Sequence, residues 1–208
     1  MKRTLTLILI LALALAASAC VKLGAKPMDK TFYRIHPVRT GSARADSGVI
    51  LKLRRMTVSD LYNTRELVYQ MTDGRIESDF YNMYFVAPGN MLTSELRSWL
   101  DASRLFRDII EPGSMVIPGL TLEGTVNALY GDYSSGSPAA VVALQFFLVD
   151  ESTPTNDIVF SKDYRRRIAL SQPDPAALVK AMTEAAQSIF TELESDLAGV
   201  PTMARKKN

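Results

Sequence analysis

The chain has 208 residues, 47% hydrophobic and 22% charged, which is enough apolar surface to close one well-packed domain. Its 24 Lys and Arg against 22 Asp and Glu give a net charge of only +2, with none of the basic excess that nucleic-acid binding calls for. One cysteine, Cys20, and one histidine, His36, exclude a His–Cys metal cluster, a Cys–His nucleophilic pair and an intrachain disulfide.

Lys2 and Arg3 form a charged start, residues 5–16 an almost wholly apolar run, and Ala17, Ser18 and Ala19 lead directly into Cys20. About 15 apolar residues fall short of the ~20 that a helix needs to cross the hydrocarbon, so the layout is that of a secretory signal. A cysteine directly after small residues resembles a bacterial lipobox. There the signal is cut between Ala19 and Cys20, the thiol is joined to diacylglycerol and the new amino group is acylated. Ala17 departs from that pattern, which usually carries Leu at this position. Ordinary cleavage nearby, with Cys20 left as a free thiol, is the competing reading. Acyl chains contribute ~0.8 kcal/mol per buried CH₂, so two or three of them give lasting attachment without a spanning helix. Val21, with no Asp after the cysteine, resembles lipoproteins of the outer membrane, which implies a lipid anchor at its periplasmic face. Removing residues 1–19 takes away Lys2, Arg3 and no acid, leaving 189 residues with zero net charge.

Residues 20–31, polar with Gly24 and Pro27, read as a lipidated tether, and residues 32–198 as one domain. Strands are expected over 32–35, ahead of a Gly/Ser/Ala-rich loop at 40–48, and over 49–53, rich in β-branched and aliphatic residues. His36, beside Pro37, reads as a polar residue at a strand end. Residues 65–71 alternate polar and apolar, Asp73-Gly74 signals a hairpin, and 77–85 return with Phe80, Tyr81, Tyr84 and Phe85. Pro88-Gly89 ends that strand, and Asn90 is placed to cap a helix to about Ser103, with Leu92, Leu96, Trp99 and Leu100 as its buried stripe.

Two longer strands follow, over 120–130 and 139–149. In the first, Leu122, Gly124, Val126, Ala128 and Tyr130 should share a face; the second is apolar at almost every position, as a strand covered on both faces would be. A last strand over 158–170 carries Arg165-Arg166-Arg167. The clearest helix runs over 176–198, its stripe formed by Leu178, Met182, Ala185, Ile189, Leu193 and Leu197, with Lys180, Glu184, Glu192 and Glu194 elsewhere on the cylinder. Gly199 and Pro201 stop it before a basic tail that ends the chain at 208. Strands in hairpin-spaced pairs with two long helices, without alternating βαβ units, indicate an α+β fold.

Two surfaces are candidate contact sites for a partner or a lipid. Alternation buries half of the rings in 80–85, and the remainder of Phe80, Tyr81, Tyr84 and Phe85 is left to form an exposed patch. In the arginine run, Arg165 and Arg167 point to one face of their strand and Arg166 to the other. Ser134-Ser135-Gly136-Ser137 lacks the strand–elbow–helix context of a serine hydrolase, and the chain has no G-x-x-x-x-G-K-[ST] phosphate loop. No catalytic residue, metal site or cofactor is assigned, and the chain is not expected to be an enzyme.

Tyr33-x-Ile35-x-Pro37, Arg65-Glu66-Leu67-Val68-Tyr69, residues 80–88 (FYNMYFVAP) and Met91-Leu92-Thr93-x-x-x-Arg97-x-Trp99-Leu100-x-x-Ser103-x-Leu105-Phe106 together resemble the ABC-type transport auxiliary lipoproteins. These are the PqiC-like proteins that accompany MCE-type lipid transporters. The resemblance covers residues 32–197, with 80–106 its specific part; many members carry a Trp after the aromatic strand, where this chain has Tyr84-Phe85. It implies a mainly antiparallel sheet with helices packed on it, similar to the TolB amino-terminal domain. It also implies an accessory to envelope transport of lipids or apolar solutes, with MCE-type transporter subunits as partners and self-association into a homo-oligomer open. Three mechanisms compete: a docking adaptor, a carrier with its own acyl-binding groove, and a structural lipoprotein assisting outer-membrane assembly.

Overall fold

A computed structural model describes residues 29–201; the signal segment, Cys20, the tether up to residue 28 and the tail from 202 lie outside the described residues. The strands are β1 (Thr31–Tyr33), β2 (Ile50–Leu53), β3 (Thr57–Val58), β4 (Glu66–Met71), β5 (Ile76–Tyr84), β6 (Asp108–Ile110), β7 (Leu120–Tyr133), β8 (Ala139–Asp150) and β9 (Asp157–Ala169). The helices are α1 (Pro88–Ser103) and α2 (Pro175–Ala198), packed on one face of a curled sheet, so the fold is α+β as expected.

The sheet is mixed. Its long pairings, β7–β8 and β8–β9, and the β4–β5 hairpin are antiparallel. The short pairings β1–β5, β2–β6, β2–β7, β3–β7 and β4–β7 are parallel. The sequence reading of a mainly antiparallel sheet holds for the three long pairs and misses the parallel ones. Those pair only two or three residues each with partners far along the chain, too few for a periodic signal to reveal the pairing. One edge of β7 pairs in turn with β2 at Leu120–Leu122, β3 at Thr125–Val126 and β4 at Gly131–Tyr133, while its other edge pairs with β8 throughout. Among the described residues β9 pairs only with β8, so its outer edge is open.

A bulge in β7 decides which residues reach the core. Val126 faces Leu144 but Ala128 faces Ala143, leaving Asn127 as an added residue. An added residue inverts the alternation beyond it. Leu120, Leu122 and Val126 therefore pack under the helices, as does Leu129, whereas Ala128 and Tyr130 join Val68, Val141 and Ala143 in a smaller cluster. The expected single face from Leu122 to Tyr130 is thus split at Asn127.

α1 begins at Pro88, with Ala87 as its cap and no capping side chain; Asn90 lies inside the helix, not at its cap. Proline at the first helical position needs no N–H partner, which is how the helix starts without a polar cap. Its start is pressed against the β2–β3 connection. The Met56 N–H donates to Thr93 Oγ1 (2.9 Å), whose hydroxyl donates to the Gly89 carbonyl (2.6 Å). A Cβ on Gly89 would stand 2.7 Å from the Met56 carbonyl oxygen. α2 is capped by Asp174, which accepts from the Ala177 N–H at 2.8 Å, and its predicted stripe is wholly buried.

Two buried carboxylates tie the N-terminal segment to the helices. Glu95 of α1 accepts from Arg34 Nε (2.6 Å) and lies 2.8 Å from His36 Nδ1. Glu194, which the helical pattern places on the polar side of α2, is 4% exposed instead. It accepts from Arg39 Nε (2.8 Å), Arg44 Nε (2.7 Å) and Trp99 Nε1 (2.9 Å). α2 lies against both the sheet and α1, so its buried arc is wider than the single stripe and takes in this position. Burial opposes ionisation of Glu194, but the two guanidiniums and the indole N–H outweigh it and hold the carboxyl below the usual Glu range.

Gly89→Ala is expected to destabilise the fold by about 1–3 kcal/mol through overpacking against backbone, read from urea midpoints. Glu194→Ala, which takes the carboxylate from Arg39, Arg44 and the Trp99 indole at once, should cost about 3 kcal/mol or more. Because folding lowers the Glu194 pKa, its contribution is complete above the unfolded value of ~4.3 and is lost as pH falls through the folded value. Asp79, Asp132, Glu151 and Asp196 shift the same way. Urea midpoints should therefore hold steady down to about pH 5 and fall below it, less steeply in Glu194→Gln.

Candidate functional site

The aromatic segment owes its exposure to an irregularity in the β4–β5 hairpin. From the turn at Gly74 (φ +81°) the strands pair regularly as far as Leu67 with Asp79, and the next residue of β4, Glu66, pairs with Met83. Phe80, Tyr81 and Asn82 have no counterpart on β4 and bulge out. The Asp79 carboxylate holds this bulge. One oxygen accepts from the backbone N–H groups of Tyr81 (2.9 Å) and Asn82 (3.0 Å). The other accepts from the Tyr69 hydroxyl (2.9 Å) and the Asn82 side-chain amide (2.9 Å). Burial pushes the Asp79 pKa up, but these donors prevail and hold it below the usual Asp range. Tyr33 clamps the outer side by donating its hydroxyl to Asn82 Oδ1 at 3.2 Å.

The result is an aromatic ledge at one end of the sheet. Phe80 is 57%, Tyr81 39% and Phe85 68% exposed, and they are joined by Phe32 of β1 at 47%. Phe32 meets Phe85 edge-on with centroids 5.9 Å apart, and Phe80 meets Tyr81 at 5.3 Å. The Lys30 ammonium stands 3.9 Å above the Phe80 ring, and the Arg65 guanidinium 5.6 Å from the Phe32 ring. Such cation–ring contacts are worth about 0.5–1 kcal/mol at exposed sites.

Of the residues singled out in the sequence, Phe80, Tyr81 and Phe85 lie together here. Tyr84 does not: it is buried in the core with its hydroxyl 3.2 Å from Met182 Sδ, and burial raises its pKa. Simple alternation would have buried half of the rings; the bulge leaves only this one inside. Phe32, Lys30 and Arg65 were missed by the sequence reading, although parity along β1 already sets Lys30 and Phe32 on the side opposite Tyr33.

Arg165 and Arg167 share the face opposite the helices, and Arg166 turns to Ser188 (2.9 Å) and Glu192 on α2. They do not join the ledge, since β8, β7 and β4 lie between β9 and β5. Arg165 donates to the Tyr130 hydroxyl (3.3 Å), and Arg167 to the Ser137 carbonyl (2.9 Å) and to Asp132 (3.3 Å). Hydrogen bonds from Ser134, together with the Arg167 guanidinium, keep Asp132 below the usual carboxylate range.

An open cleft of about 790 Å³ lies where the 39–47 loop crosses α1 and α2, and its lining includes Arg39, Arg44, Trp99 and Glu194. Those charges are already engaged with one another, and among the described residues no buried side-chain polar atom lacks a partner. Among the described residues there is also no group of three or more His, Cys, Asp or Glu placed to hold a metal ion.

Asp79→Ala is expected to cost about 2 kcal/mol or more by orphaning its donors. Hydrogen exchange should show loss of protection confined to the amides of Tyr81 and Asn82, with the β7–β8 ladder unchanged.

No family model and no curated protein matches this sequence. Solved structures share its fold. The Xanthomonas campestris protein XCC0632, of family DUF330, superposes with a TM-score of 0.68 at 16% identity, over 86% of this chain and 98% of that one. An uncharacterized protein gives 0.64 at 14% identity, over 81% of this chain and 99% of its own. The Chlamydia trachomatis protein CT253 gives 0.57 at 9% identity, over 75% of this chain and 98% of its own. At these identities the likeness is one of fold: the described domain has the architecture of a DUF330 protein.

Proposed function

We propose that this protein is a lipid-anchored periplasmic accessory component of an MCE/ABC-type envelope transport system, and that it acts as a docking adaptor at the outer membrane. The observation that carries the reading is Ala17-Ser18-Ala19-Cys20, a lipobox-like site directly upstream of a domain with the fold of the DUF330 protein XCC0632. The anchor supplies membrane attachment, and the domain supplies a surface for transporter subunits that move lipids or apolar solutes. The fold supports docking over carriage. The cleft at the 39–47 loop is built around an ion-paired carboxylate, and an acyl chain seated there would lie against charge.

The test is recovery of the protein from membranes, followed by mass spectrometry of proteins and lipids. An MCE protein accompanied only by bulk lipid is the expected result. One enriched lipid that stays with the domain through detergent exchange would replace docking with carriage, and a barrel protein without any MCE subunit would favour an assembly role. Cys20→Ala should abolish the acyl mass increment and release the protein from the membrane fraction without changing its thermal midpoint.

A further inference from the structure

We infer that the aromatic ledge of Phe32, Phe80, Tyr81 and Phe85, flanked by Lys30 and Arg65, is a seat on the headgroup layer of the membrane that holds the lipid anchor. The inference rests on Cys20 being acylated.

Three observations carry it. The first is the path of the chain. Lys30 and Phe32 belong to the ledge, and Lys30 lies only ten residues after Cys20. Ten residues reach at most about 35 Å when fully extended, so the ledge is the first part of the fold that the anchored chain meets. The second is its chemistry. Amphipathic rings accompanied by Lys and Arg are what the water–hydrocarbon boundary selects: the rings sit at headgroup depth and the cations meet lipid phosphates. Here the cations lie over the rings themselves, which places both kinds of contact on one surface.

The third is construction. The exposure of Phe80 and Tyr81 is imposed by a bulge fastened through the Asp79 carboxylate to four donors. A surface pinned open in that way presents its rings without having to rearrange. Acyl chains alone hold the domain near the membrane in any orientation. The ledge would fix one, with β1 and β5 against the bilayer and the outer side of α2 turned away.

The experiment uses the full lipidated chain in vesicles of phosphatidylethanolamine and phosphatidylglycerol. Acylation consumes the thiol of Cys20, so Phe85→Cys offers a single site for an environment-sensitive fluorophore. Glu184→Cys, on the exposed side of α2, is the reference. Emission from position 85 should shift to the blue on reconstitution and be quenched by nitroxide-labelled lipid, with position 184 unchanged. Phe80→Cys should repeat the result, so that a local disturbance at 85 does not decide the outcome. If 80 and 85 are as water-exposed as 184 on acylated, vesicle-bound protein, the seat is wrong and the ledge is left to a protein partner. Mass spectrometry of the same sample separates the two failures: without the acyl increment the anchor itself fails and the seat falls with it.

Discussion

One strand with two unequal edges fixes this fold. β7 gives its whole length to β8 on one side and divides the other among β2, β3 and β4, each taking two or three residues. Strands as short as β2 and β3, four and two residues, have no stability of their own, and a pair of them would not persist in water. They exist because β7 is already held by a twelve-residue antiparallel partner. The extra residue at Asn127 lets this one strand serve both faces. Below it the large aliphatic residues meet the helices, and above it Tyr130 turns to the back, where it stacks on Tyr62 at 5.6 Å.

Regular pairing leaves gaps, and carboxylates, two of them buried and the third half-buried, close them. Glu95 holds the segment after β1 to α1, Glu194 gathers the 39–44 loop and Trp99 onto α2, and Asp79 closes a bulge whose amides have no ladder partner. In each case an acid satisfies donors on chain that follows no repeating pattern, as buried backbone and guanidinium groups require. Such fastenings are strong only when complete, which makes the acidic limb of stability a property of a few sites and not of overall charge.

The sequence was legible where a period runs for many residues. α2 and the three long strands were placed to within about three residues at either end, because a buried stripe or alternation extends over three or more turns or pairs. β3 and β6 were invisible, since two or three residues carry no period. The bulges at Asn127 and 80–82 were invisible for another reason: each adds residues without changing composition, so everything beyond is displaced while local propensity stays the same. That cost the site reading Tyr84, which went to the core, and hid Phe32, which came to the surface. Glu194 was misplaced because helical periodicity identifies one face, whereas contact with a second helix buries another.

β9 raises a different matter, that of crowding. Thirteen residues with one unpaired edge form a template onto which another extended chain could add, and neighbouring copies held close together would meet such edges often. The strand carries Lys162, Asp163 and Arg165 to Arg167 along its middle, and its register slips near Val159. A second copy pairing antiparallel about Arg166 would bring arginines against arginines, and the slip near Val159 would put the ladder out of step. Charge along the middle of an open edge is one of the features that make strand addition unfavourable, and in β9 the arginine run that first suggested a binding patch supplies it.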